Sequence, residues 1–125
     1  MRRARGDEGQ ASVELALVLP LVLLLLLGMV QLGLLVRDQI LVVHAAREAA
    51  REAAVDPAPD AARQAAAASS TLDGSRLTVT TSGRGAAGSR VRVEVAYKAP
   101  TAVPLLGSAL GDLTLRATAT MRVER

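Results

Sequence analysis

Residues 15–36, LALVLPLVLLLLLGMVQLGLLV, carry no charge. These 22 residues span about 33 Å as a helix at 1.5 Å per residue. A bilayer hydrocarbon core is about 30 Å thick. Each Leu or Val contributes about −0.3 to −0.6 kcal/mol at the helix centre, enough to absorb Gln31 and Pro20. A small soluble protein has no interior able to surround a helix that is apolar on every face. The run therefore reads as one transmembrane helix. Pro20 and Gly28 lie inside it, and both residue types are tolerated in membrane helices. Pro20 removes one backbone hydrogen bond and is expected to bend the helix.

The helical pattern outlasts the apolar run. VRDQILVVHAAREAAREAAV contains no breaker before Asp56 and Pro57. At 100° per residue, Val36, Ile40, Val43, Ala46, Ala50 and Ala54 share one broad arc, with Arg37, His44, Glu48, Arg51 and Glu52 opposite. One helix over residues 10–55 is expected. Its first half is lipid-soluble; its second is amphipathic, with an Ala-rich face that lets another helix approach closely. Pro57 and Pro59 then break the chain, and Asp56 or Asp60 can cap a short second helix over 61–68.

Beyond that the period changes to two. SRLTVTTS sets Leu77, Val79 and Thr81 on one face; RVRVEVAYK sets Val91, Val93, Val95 and Tyr97 inward, with Arg92 and Glu94 outward. LTLRATATMRVE sets Leu113, Leu115, Ala117, Ala119, Met121 and Val123 inward, with Arg116, Thr118 and Arg122 outward. Three half-buried strands form a small antiparallel sheet with one wet face. GRGAAGS supplies the first hairpin loop. APTAVPLLGSALGD joins the second strand to the third, with room for one helical turn and with Leu105, Leu106 and Leu110 as a contact patch or a closed core edge. The fold class is α+β: a long N-terminal transmembrane helix continuing as an amphipathic helix, a short second helix, and a three-stranded antiparallel sheet. Tyr97 is the only aromatic residue, and Phe, Trp and Cys are absent. The region after the long helix, about 70 residues, falls where a single core is marginal. It is expected to lean on the helix or on a partner.

The net charge is +3, and Lys98 is the only lysine. The arginines are interleaved with acids along the chain, and no aromatic residues are available to stack on bases, which argues against nucleic acid. Absence of Cys excludes a disulfide scaffold and a thiolate metal site. His44 is the only histidine and reads as a solvated helix residue. GRGAAG has the glycines of a phosphate loop but precedes a strand, not a helix. No nucleophile, base and acid assemble into a catalytic set. The expectation is no enzyme, no cofactor and no small-molecule substrate. Arg47 falls inside the apolar arc of its helix. Either its stem is buried and its head escapes, or it pairs with a neighbouring helix or subunit.

Glu14 stands at the mouth of the apolar run, where a carboxylate costs little and faces the positive end of the helix dipole. Gly9 lies five residues before it, after the charged MRRARGDEG. This arrangement resembles the processing site of type IV-type prepilins, cut after Gly with Glu as the fifth mature residue. More broadly, VELALVLPLVLLLLLGMVQLG followed by AAREAAREA resembles the TadE-like proteins of tight-adherence pilus systems. Glu14, Pro20, the Leu run, Gly33 and the Ala-Arg repeat at Arg47 and Arg51 carry the resemblance, over residues 9–55. Gln10 departs from the Phe usual in prepilins.

The resemblance implies a minor pilin or pseudopilin, cut between Gly9 and Gln10 by a prepilin peptidase and working with pilins and other assembly subunits of a pilus or related secretion system. Residues 1–9 would be a leader, 10–55 the transmembrane and amphipathic helix, and 56–125 a small extracytoplasmic domain. Glu14 and Pro20 would serve register or assembly, and Arg47 and Arg51 helix–helix contact. The flanking charges, Arg2, Arg3 and Arg5 against Arg37, Arg47 and Arg51, nearly balance. A cytoplasmic N-terminus therefore rests on the resemblance. The alternative is an unprocessed single-pass anchor whose outer domain binds a partner in an envelope complex.

Overall fold

The computed structural model describes residues 4–101 and 107–124. Its elements are a long helix α1 (Ala4–Val55), a short helix α2 (Ala61–Ala68), a 3-10 turn (Gly74–Arg76), strands β1 (Leu77–Ser82) and β2 (Arg90–Ala99), one turn of helix α3 (Gly107–Leu110), and strand β3 (Leu113–Arg122). The sheet is an antiparallel meander in the order β1-β2-β3. The α+β architecture expected from the sequence is the one observed. Arg2, Arg3, Leu105 and Leu106 lie outside the described residues.

Helix α1 is already formed at Ala4, the first described residue, whereas it was expected to begin near Gln10. The residues before Gly9 include good helix formers and no proline, and Asp7 in the first turn suits the dipole. Pro20 lies inside the helix, which continues through it. Neither expected aspartate caps α2 with its side chain. Asp56 Oδ1 instead accepts from the Ala58 N–H at 2.8 Å, closing the turn between the helices. Asp60 offers its backbone carbonyl to the Gln64 N–H at 2.9 Å.

The core lies between the inner sheet face, α1 and α2. Val91, Val93, Val95 and Tyr97 of β2 are buried, as their alternation requires. Against them pack Val42 and the alanine pairs 45/46, 49/50 and 53/54 of α1. This stripe is rotated by about one residue step from the arc drawn through Val36, Ile40 and Val43. Ala46, Ala50 and Ala54 are buried, but Val36 and Ile40 are more than half exposed. Helix α1 is flanked by the sheet and by α2, so small side chains are needed for both to approach; the larger branched residues are left outward. The inward row of β3 is only half covered, with Leu115, Ala117 and Ala119 partly buried and Met121 exposed.

The domain reaches down into the apolar run. Leu34 and Leu41 of α1 face Leu72 and Tyr97 across a cleft, and Leu35 packs on the core. Gln31 is buried, and its Oε1 has no hydrogen-bond partner among the described residues. On the other side of the same turns, Leu32 and Val36 remain exposed. The stretch apolar and uncovered on all sides is therefore shorter than residues 15–36. Composition alone does not separate a leucine facing lipid from one facing the chain's own domain.

Candidate functional site

The residues singled out by sequence fall on α1, spread along its length. Gly9 is inside the helix, and a Cβ built there meets nothing within 4 Å, so the Gly9–Gln10 peptide stands in open space. Gln10 Nε2 donates to Glu14 Oε1 at 3.5 Å, which puts both side chains on one face, one turn apart. Ser12 Oγ donates to the Glu8 carbonyl at 3.0 Å. Glu14 is exposed, and above it the leucines and valines point outward all round the helix. Arg47 and Arg51 are exposed, and Arg47 continues the line of Val36, Ile40 and Val43. Arg47 borders a groove against the free edge of β3, where Gln39 Nε2 donates to the Arg116 carbonyl at 3.3 Å. His44 is exposed nearby. Among the described residues no group of three or more His, Cys, Asp or Glu side chains could hold a metal ion.

Two features escaped the sequence reading. The first is a latch on the far end of α1. The last carbonyls of a helix have no partners of their own, and the last turn of α1 holds no basic residue. The Arg84 guanidinium, from the β1–β2 loop, donates to the carbonyls of Ala53 and Asp56. The Glu124 N–H donates to the Ala54 carbonyl at 3.1 Å. Gly83 and Gly88, with φ of 74° and 90°, give the loop the left-handed turns that bring Arg84 over the helix end. Gly88 N–H in turn reaches the Val123 carbonyl at 2.8 Å, tying the loop to β3. The second is the register across the expected wet sheet face, which places Arg90 directly opposite Arg122.

At the opposite end of the domain, Asp73 accepts from the Ser75 N–H and Oγ at 3.0 and 2.7 Å, and these bonds hold its carboxyl below the usual range. Burial raises the Tyr97 phenol above its ordinary value, and the Asp38 carboxylate adds to the rise. Tyr97 thus stays neutral at the base of the domain.

A small α+β domain mounted on one helix long and apolar enough to cross a membrane defines the class: a single-pass membrane protein. Residues 9–51 match the family described as TadE-like protein, the family that the sequence of this stretch resembles. The match opens at Gly9 and takes in Glu14, Pro20, Arg47 and Arg51; α2 and the sheet lie beyond it. Neither a curated protein nor a solved structure matches this chain.

Proposed function

We propose that this protein is a minor pilin or pseudopilin of a tight-adherence pilus system, anchored by α1 with its N-terminus in the cytoplasm and its domain outside, and matured by a prepilin peptidase. Its role is structural, not enzymatic. The observation that carries the reading is where the family match begins: at Gly9, five residues before Glu14, at the foot of the uncovered apolar helix.

Cleavage between Gly9 and Gln10 would create an α-amino group one turn from Glu14. In a bundle of like helices an unpaired carboxylate is costly to dehydrate. Pairing Glu14 with that amine, on its own or a neighbouring chain, offsets the cost and sets axial register. The exposed Val36 and Ile40, with Arg47 beyond them, are then available to a neighbouring helix. One observation favours the alternative of an unprocessed anchor: α1 is helical through Gly9, so the bond has to unwind before a protease can hold it extended.

The mass and N-terminal sequence of the mature chain decide between them. A start at Gln10 is expected. Gly9→Arg should insert uncut and fail to assemble; Glu14→Gln should be cut yet assemble poorly. A mature chain starting elsewhere, or normal assembly with Glu14→Gln, overturns the proposal.

A further inference from the structure

The arginines that alternate with acids and apolar residues along the chain are sorted by the sheet. Strand parity puts Arg90, Arg92, Glu94, Ala96 and Lys98 of β2 on the wet face, beside Thr114, Arg116, Thr118, Thr120 and Arg122 of β3. That face carries five cations on these two strands against one carboxylate, Glu94, which Arg116 already approaches at 3.6 Å. At one end Arg90 and Arg122 are cross-strand partners, and Arg92 lies between Ser82 and Thr120. All three arginines are exposed, and their side chains make no hydrogen bond or ion pair among the described residues. Like charges placed directly opposite are destabilising, so this end of the sheet is short of negative charge. From Arg90 to Lys98 the strip runs about 27 Å at 3.4 Å per residue, edged by the hydroxyls of Thr78, Thr80, Thr118 and Thr120.

We propose that this strip binds an anionic polymer that is not a polypeptide, one whose repeating units bear phosphodiester or carboxylate groups. Arginine forks suit both groups, and the threonine hydroxyls can serve the units between charges. Two other occupants fit less well. The membrane's own headgroups are too far away. The Arg90–Arg122 end lies beside Val123 and Glu124, which bond Ser89 and the Ala54 carbonyl. Along α1 that is about 27 Å from Val36, against a screening length of about 8 Å in physiological salt. A protein partner would lack a foothold, because interface hot spots centre on buried aromatic and apolar anchors and the only apolar residue of β2 or β3 on this face is Ala96. Base stacking is equally unsupported, since Tyr97 points to the other face. The orientation proposed above decides only the compartment of the ligand; the binding itself is independent of it and of cleavage at Gly9.

The test uses the full chain in nanodiscs of phosphatidylcholine, which carry no net charge. Labelled poly(glycerol phosphate) and polygalacturonate are the two probes, with neutral dextran as control. Binding of at least one polyanion is expected, weakening as salt is raised because counterions are released on binding. Which polymer binds tells phosphodiester from carboxylate. The triple variant Arg90→Gln, Arg92→Gln, Arg122→Gln should bind at least tenfold more weakly. The same three positions changed to Lys should retain most of the binding, and Arg63→Gln, on α2, should retain all of it. The Gln variant should melt no lower than wild type, since a repulsive pair is removed. Binding to neither polymer, or equal binding by the Gln variant, overturns the proposal. Binding of poly-L-glutamate alone also overturns it, in favour of an acidic protein.

Discussion

Arg84 is the residue on which the junction between helix and sheet turns. Its guanidinium satisfies carbonyls that α1, ending without a basic side chain, leaves open. Arg84→Ala would strand them in a partly buried site. A lost charged hydrogen bond there costs about 1.5–3 kcal/mol, and about 1 kcal/mol shifts the melting point of a domain this small by roughly 4–8 °C. The full chain in detergent micelles should therefore melt several degrees lower with Arg84→Ala, and Arg84→Lys should recover part of the loss. An unchanged melt would mean that the Glu124 N–H and solvent hold the helix end without it. Nothing in GRGAAG announces this role. A loop arginine is normally a solvated one, and only the left-handed turns at Gly83 and Gly88 fold it back.

Among the elements, β2 shows what alternation can and cannot convey. Val91, Val93, Val95 and Tyr97 were legible as the buried row because a strand has only two faces. The amphipathic half of α1 was less legible. Arc-drawing weights Val and Ile over Ala, whereas close packing between a sheet and two helices selects Ala, so the covered face lies one step round from Val36 and Ile40. The cationic strip was legible only in part: alternation turned Arg92, Arg116 and Arg122 outward, but which cations face one another across strands follows from register, which alternation does not give. Gln10, Glu14 and Pro20 could be placed on one helix in advance because its period is fixed; Gly9 could not, since the helix was expected to begin after it. The packing also makes a prediction about the sheet. Its inner face is closed chiefly by α1, so a fragment of residues 57–125 exposes Val91, Val93 and Val95 and should show no sharp thermal transition. A cooperative melt above about 65 °C, the upper range for mesophilic domains, would show that the sheet needs no helix.

For the molecule as a whole, α1 is at once anchor, core element and strut. The domain clasps it from Gln31 to Ala54, so the helix is free on every side only toward its N-terminal half. That geometry fixes what each level of the chain should meet. The absence of cysteine makes single-cysteine variants clean probes: Ser12→Cys below the apolar run, Leu24→Cys within it, and Thr80→Cys on the wet sheet face. With a maleimide that cannot cross membranes, Thr80→Cys should label on intact, wall-stripped cells and Ser12→Cys only after lysis. Leu24→Cys should stay unlabelled until detergent is added. Thr80 lies in β1, remote from the apolar run, so its labelling reports the side of the membrane and not local burial. Labelling of Ser12→Cys and Thr80→Cys from the same side would mean that α1 does not cross. Labelling of Ser12→Cys alone on intact cells would invert the orientation, placing the cationic strip in the cytoplasm and removing an extracellular polymer as its ligand.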